Sequence, residues 1–141
     1  VDHGQIEDAT VMAYGQAFVL LAQAHAFSVG CATRQDVEAA FARMNDAFFS
    51  AADGAYADEI TPDGRLLDYR GQNANMHMCE ACLAAYEFTG EVRYLDRAEV
   101  LIERFAFDSN RTKYTDKSIF VWFNCSYFSP TYNFPKTISG I

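Results

Sequence analysis

Three polar side chains lie close together in the stretch GQNANMHMCEACLAAYE, residues 71–87: Asn73, Asn75 and His77. An amide both donates and accepts hydrogen bonds, and an imidazole can hold a proton or pass it on. A helix start needs one capping residue, so three polar residues ahead of an alanine-rich run exceed that need. The cluster is compatible with a cap, with a metal site that includes the nearby cysteines, or with a pocket for a polar small molecule.

The cysteines argue against the metal site. Cys79 and Cys82 lie one helical turn apart just after His77, whereas Cys31 and Cys125 stand alone. A structural zinc site usually takes four ligands from two such pairs, and this chain offers one pair. We therefore expect small cysteines buried in the core and no bound metal. The absence of a disulfide framework is typical of a reducing cytoplasm.

Composition narrows the classes of partner. The chain has 141 residues, half of them hydrophobic, which fits one domain with a packed core. Its net charge of -8 argues against nucleic acid and against an anionic membrane surface. No apolar run approaches the roughly 20 residues that span a bilayer. The N-terminus lacks the features of a signal peptide and lacks a starting Met, so we expect a cytoplasmic chain that begins inside a longer protein.

Helical periodicity predicts the elements that position the polar cluster. Four helices are expected, at residues 10–29, from Thr33, at about 75–88 and at about 92–105. Asp36 makes a capping box with Thr33, Gly30 and Gly90 are stop signals, and Asn75 is the expected cap of the third helix. The predicted apolar face of the first helix consists of Tyr14, Ala17, Phe18, Leu21, Ala22 and His25. The predicted face of the second helix consists of Val37, Ala40, Phe41, Met44, Ala47 and Phe48, and that of the fourth helix of Tyr94, Leu95, Ala98, Leu101, Ile102 and Phe105.

A long connection separates the two predicted hairpins. It runs as SAADGAYADEITPDGRLLDYRG, and its PDG at residues 62–64 indicates a turn or a small hairpin. Connections of this length are more often functional than not. The fold class is therefore all-α, with two helical hairpins joined by a long loop, as in stacked helix pairs or α/α barrels.

The composition changes after residue 106. Residues 107–141 contain no alanine, are rich in aromatic residues and include the apolar run IFVWF. We expect residues 1–106 to form the helical domain. The tail 107–141 is interpreted as foreign to that fold, from a frameshift, an unspliced segment or a misassembled sequence. A genuine β-rich extension is the alternative.

Three segments together resemble the N-acylglucosamine 2-epimerase superfamily. They are YGQAFVLLAQAHA, the motif DYRGQNANMHMCEACLAAYE and TGEVRYLDRAEVLIERF, and the likeness covers residues 13–105. The branch that these segments resemble most is that of the aldose–ketose isomerases, of the mannose and sulfoquinovose isomerase type. Gln16 departs from the histidine that often follows the glycine in this family.

This resemblance implies part of an (α/α)6 barrel of some four hundred residues and a cofactor-free reaction. Such enzymes open a monosaccharide ring and move a proton at C2 through an enediol-type intermediate. In the family two histidines act as acid and base, and both lie in later motifs that this chain does not contain. We therefore expect an incomplete chain with no catalytic residue of its own and no isomerase activity alone.

The resemblance also implies three site residues. Asn73 and His77 match the asparagine and histidine that line the sugar pocket, and Arg70 matches the arginine that opens the motif, where it braces the loop or reaches the substrate. Glu80 is either a partner of His77 or a solvated acid. Two other functions stay open: a 2-epimerase of N-acylglucosamine or cellobiose, and a non-catalytic helical module that self-associates through exposed barrel faces.

Overall fold

Residues 8–107 are described by the computed structural model. Most of them form four α-helices: α1 (Ala13–Ser28), α2 (Arg34–Phe48), α3 (Gln72–Thr89) and α4 (Val92–Ile102), with a turn of π-helix (Glu103–Phe107) after α4. Four two-residue strands accompany them: β1 (Val11–Met12), β2 (Phe49–Ser50), β3 (Ala55–Tyr56) and β4 (Glu59–Ile60). The predictions about the tail beyond residue 107, and about Cys125, lie outside the described residues.

The helices form two hairpins that lie side by side. α1 packs against both α2 and α3, and α3 also packs against α4. The second helices of the two hairpins meet as well, because Phe41 of α2 contacts Tyr94 of α4 edge-on with 4.9 Å between ring centroids. The predicted pair of helical hairpins is confirmed for the described part of the chain.

The helix ends follow local chemistry at two of the predicted positions. The Thr33 hydroxyl accepts a hydrogen bond from the Asp36 N–H, and the Asp36 carboxylate accepts one from the Thr33 N–H, so the capping box is confirmed. Gly90 ends α3 with φ of 72°, a left-handed conformation that glycine adopts without steric cost.

The buried side of α1 differs from the predicted apolar face. Apart from Ala17, the predicted residues lie on exposed or half-buried positions, and the buried ones are Ala13, Ala17, Leu20 and Ala24. The prediction was wrong because α1 is apolar around most of its circumference, so periodicity could not select one face. Small alanines occupy the contact side, where they let neighbouring helices approach closely, and the aromatic rings lie on the open side.

The predicted apolar faces of α2 and α4 are confirmed, because each of these helices has one apolar and one charged side. Their buried residues are Val37, Ala40, Phe41, Met44 and Phe48 in α2, and Tyr94, Leu95, Ala98 and Leu101 in α4. Ala47, Ile102 and Phe105 of the predicted faces are half-buried. Cys79 and Cys82 are buried in the core as predicted, whereas Cys31 is exposed, contrary to the expectation. Burial raises the pKa of the Cys82 thiol to about 12.

The long connection between the hairpins is ordered; we call residues 49–71 the connecting segment. β2 pairs with β3 within it, and β4 pairs with β1, which leads directly into α1. The predicted PDG turn is confirmed by the hydrogen bond from Gly64 N–H to the Thr61 carbonyl at 2.8 Å. The segment therefore joins the end of α2 to the starts of both α1 and α3.

Candidate functional site

The first two turns of α3 carry two of the residues predicted to face a ligand. Asn73 lies in the first turn and is exposed. His77 follows four residues later, on the same side of the helix, with 22% of its side chain exposed. Because α3 begins at Gln72, earlier than the predicted start at about residue 75, Asn73 and His77 both lie on one face of this helix.

Aromatic residues of α1 extend this face. The Phe18 ring lies against the His77 imidazole with 4.9 Å between centroids, and Tyr14 meets Phe18 edge-on at 6.4 Å. Tyr14 and Phe18 keep 41% and 45% of their surface exposed. We call these three rings together with Asn73 the α1–α3 face. It offers apolar ring surface next to amide and imidazole groups, a combination suited to a small molecule with both C–H and O–H groups.

Glu80 orients the imidazole of His77. Its Oε2 lies 3.3 Å from the Nδ1 of His77, so of the two alternatives left open for Glu80 the structure shows the partner of His77. A carboxylate at Nδ1 favours the tautomer that carries its proton there, which leaves Nε2 with a lone pair to accept a hydrogen bond. The pair can therefore present an acceptor, or after protonation a donor, on the α1–α3 face.

Arg70 is bound to the connecting segment. Its Nε lies 2.9 Å from Oδ2 of Asp53, and its guanidinium donates to the Asp68 carbonyl at 2.5 Å. Only 17% of the side chain is exposed. Of the two roles left open for Arg70, the structure shows the bracing one, while contact with a substrate stays a prediction.

Asn75 is not the helix cap that we predicted. The helix begins earlier, with Gly71 as its N-cap, and Asn75 is 1% exposed inside the first turn. Its side chain accepts from the Tyr56 N–H at 2.8 Å and donates to the carbonyls of Tyr56 and Gly71 at 2.9 and 2.8 Å. Asn75 thus completes the hydrogen bonding of buried β3 backbone, a role that depends on a segment 19 residues away.

Asp58 was overlooked in the sequence. It lies between β3 and β4, and its Oδ1 accepts a hydrogen bond from the Gly71 N–H at 2.5 Å. Burial raises the pKa of the Asp58 carboxyl, an effect that this hydrogen bond partly offsets. No local pattern marks an acid that caps a helix from 13 residues away. The only hint was Gly71, a glycine placed directly before the polar cluster.

Arg97 belongs to the YLDRA sequence, one of the segments that resemble the family. It connects the second helices of the two hairpins, α2 and α4, through the connecting segment. Its guanidinium lies 3.5 Å from the centroid of the Phe49 ring and donates to the Tyr56 hydroxyl at 2.7 Å and to the Asn45 amide oxygen. Burial raises the pKa of Tyr56, so this phenol stays protonated and donates to Asn45. Arg97 therefore fixes β3 between α2 and α4.

The cysteine pair does not meet His77 in a metal site. Cys79 lies inside the core, where its Sγ contacts the Ala98 carbonyl at 3.7 Å. Among residues 8–107, no group of three or more His, Cys, Asp and Glu side chains is arranged to hold a metal ion.

Comparison with known proteins places the chain in a family. The model of the N-acylglucosamine 2-epimerase (GlcNAc 2-epimerase) family matches residues 1–121. The chain is 41% identical over 103 residues to a D-mannose isomerase of Marinomonas mediterranea, a match that covers 72% of this chain and 26% of that protein. It is 36% identical over 97 residues to a D-mannose isomerase of Thermobifida fusca, with 67% and 24% covered.

A solved structure agrees with these matches. The crystal structure of a D-mannose isomerase superposes with a TM-score of 0.70 at 38% identity, covering 76% of this chain and 29% of that one. The chain thus spans about a quarter of the length of the curated relatives it matches. Within the described residues, no helix has the length and apolar character needed to cross a membrane. The chain belongs to the N-acylglucosamine 2-epimerase family.

Proposed function

We propose that this chain supplies one wall of the sugar pocket of a mannose–fructose type aldose–ketose isomerase. The observation that carries the proposal is the α1–α3 face, where Asn73 and the Glu80-oriented His77 lie beside Phe18. The D-mannose isomerases among the relatives support a monosaccharide as the proposed substrate. On this proposal the Asn73 amide and His77 Nε2 bind sugar hydroxyls, and the exposed aromatic rings contact the C–H side of the sugar.

The proposed reaction moves one proton between C1 and C2 of the open-chain sugar. Aldose and ketose are isomers, so the step involves no net oxidation and needs no redox cofactor. A base takes the C2 proton while an acid protonates the carbonyl oxygen at C1, which gives the enediol; the O2 hydroxyl then loses its proton as C1 gains one, which gives the ketose. His77 can serve one of these exchanges at a time, so we propose that the chain alone does not turn over and that the acid–base pair comes from the remainder of the barrel. A cytoplasmic location belongs to the same proposal.

A chimeric enzyme tests this function. Residues 13–105 would replace the matching segment of the Marinomonas mediterranea relative, and D-mannose, cellobiose and N-acetylmannosamine would be compared as substrates. We expect conversion of D-mannose to D-fructose, and a fall in kcat/KM of about tenfold or more in His77→Ala and Asn73→Ala, the loss of about one pocket hydrogen bond.

The matched control is Asp46→Ala, an exposed change on α2, which should leave kcat/KM unchanged. Faster turnover of cellobiose or N-acetylmannosamine than of D-mannose would favour the 2-epimerase alternative. Unchanged kcat/KM in both pocket variants would remove the α1–α3 face from the proposed site.

One observation favours a second candidate, a module that self-associates. Val11 of β1 and Tyr14, Phe18 and Val19 of α1 are each between 40% and 45% exposed, so a large apolar area at this end of the hairpin is open to solvent. Light scattering of the purified chain distinguishes the two: association that Phe18→Ser abolishes supports the module, and a monomer at all concentrations contradicts it.

A further inference from the structure

We propose that Asp58 is a positioning residue that sets the spacing of α1 and α3 and so shapes the α1–α3 face. This inference rests on the proposed function for its meaning as a sugar site, but its structural content is independent. Within the connecting segment, Asp58 binds the first residue of α1 through its backbone and the N-cap residue of α3 through its side chain.

The backbone of Asp58 holds the start of α1. Its carbonyl accepts a hydrogen bond from the Ala13 N–H at 2.8 Å, and Ala13 is the first residue of α1. The adjoining β1–β4 pairing, in which Met12 lies opposite Glu59, keeps this contact in register. Since the N-cap residue Met12 has no side-chain oxygen, the connecting segment satisfies a helix N–H that α1 cannot satisfy internally.

The side chain of Asp58 holds the start of α3. Its Oδ1 accepts from the Gly71 N–H at 2.5 Å, and a carboxylate at a helix N-terminus is also favoured by the helix dipole. Gly71 is buried, and a Cβ added to it would lie 2.5 Å from Oδ2 of Asp58 and 2.8 Å from the Tyr69 ring. The carboxylate therefore occupies the space that any other residue at this position would need.

Two further contacts make the arrangement rigid. The Asp58 N–H donates to the Tyr69 carbonyl at 3.0 Å, and Asn75 binds the backbone of Tyr56 two residues before Asp58. One short stretch, residues 56–58, thus fixes the first turn of α3 and the first residue of α1 together. Because Phe18 and His77 extend from these two helices, their contact depends on this stretch as well as on the direct packing of α1 against α3.

Amide exchange of the full chain tests the proposal without any sugar. In Asp58→Ala we expect amide exchange to accelerate about tenfold or more at the first turn of α3, because the carboxylate that accepts from the Gly71 N–H is lost. The Ala13 N–H keeps its acceptor, the backbone carbonyl of residue 58, so exchange at the first turn of α1 should rise less, and exchange in α2 should not change. The His77 ring-proton resonances should shift, since the ring current of Phe18 acts on them. Asp58→Asn keeps an oxygen acceptor and should retain protection, and Asp46→Ala is the matched control.

Gly71→Ala tests the same contact from the other side if Asp58→Ala fails to fold, since its Cβ must displace the carboxylate. Unchanged exchange at both helix starts, or an equal rise in α2, would overturn the proposal. A D-mannose titration, followed by the NMR resonances of the His77 ring, separates the positioning role of Asp58 from the proposed function. If D-mannose leaves the His77 resonances of the unsubstituted chain unchanged, the proposed sugar binding is contradicted and the positioning role of Asp58 is not. If Asp58→Ala binds the sugar as well as the unsubstituted chain does, the positioning role is overturned.

Discussion

Helices α2 and α3 begin in different ways. α2 is capped by its own neighbours, because Thr33 and Asp36 exchange hydrogen bonds across three residues. α3 is capped from 13 residues away, because its N-cap is a glycine and the carboxylate comes from Asp58. A local cap stabilises one helix, whereas a distant cap also fixes that helix relative to the segment that supplies it.

The helix that is capped from a distant segment is also the helix that carries the candidate site. The start of α2 is exposed and carries no residue of the α1–α3 face, while the first two turns of α3 carry Asn73 and His77. Bound to the connecting segment by Asp58 and Asn75, these turns are held in one orientation. Preorganised binding groups are what a pocket for a polar ligand requires, because a site that must be ordered on binding loses affinity.

The largest effect is expected from Asn75→Ala. It should lower the free energy of unfolding by about 3 kcal/mol, because the buried N–H and carbonyl of Tyr56 both lose their partner. Urea unfolding followed by circular dichroism measures it. The matched control is Asn73→Ala, an exposed change in the same turn that should stay within about 0.5 kcal/mol. Equal effects of the two variants would show that α3 is not held through Asn75.

Gly71→Ala should cost about 2 kcal/mol of unfolding free energy, because its Cβ would overlap the Asp58 carboxylate. Gly15→Ala is the control within α1, where among the described residues no heavy atom outside its own helix backbone lies within 4 Å of an added Cβ. There the change should stabilise the chain by up to about 1 kcal/mol, as helix propensity predicts. Thermal unfolding of both variants should therefore shift in opposite directions, and shifts of the same sign would contradict the account.

A smaller and local effect is expected at the other cap. Thr33→Ala should cost about 1 kcal/mol and accelerate amide exchange only in the first turn of α2. If exchange also rose at the start of α3, the two caps would not differ in the way described above. Amide exchange of the Thr33 and Asp58 variants should be measured by NMR under identical conditions, so that the two helix starts can be compared directly.

The smallest effect concerns pH. Burial raises the pKa of Asp58 above its unfolded value, so the stability linked to this group is fully present below the unfolded pKa and is lost as pH rises through the folded pKa. Asp58→Asn does not titrate. Its stability relative to the unsubstituted chain should therefore rise as the pH increases from below the unfolded pKa of about 4 through the raised pKa of the folded state. A relative stability that falls over this range would mean that attraction to the α3 N-terminus outweighs the cost of burial.

Features that depend on neighbouring residues could be predicted from the sequence, whereas features that depend on distant segments could not. The Thr33 capping box, the Gly90 stop and the stripes of α2 and α4 depend on residues within a few positions of each other, and all were predicted correctly. The contact of Glu80 with His77 also follows from helical spacing. The place of Asn73 inside α3 was not predicted, because the helix was expected to begin at about residue 75.

The rest depends on contacts between distant segments. The buried side of α1 was misassigned because its apolar residues surround the helix, and only the packing against α3 selects Ala13, Ala17, Leu20 and Ala24. The role of Asn75 and that of Asp58 arise where the connecting segment meets α3. The Phe18 contact with His77 joins two helices that lie about sixty residues apart in sequence, a pairing that no short-range pattern encodes.

The central claim is that the α1–α3 face binds a sugar. Its most direct test is a crystal structure of the chimeric enzyme with D-fructose bound. We predict the Asn73 amide and the His77 Nε2 within about 3.2 Å of sugar oxygens, with Phe18 beside the sugar and Arg70 still paired with Asp53. A sugar that occupies the barrel without contacting Asn73 or His77 would contradict it.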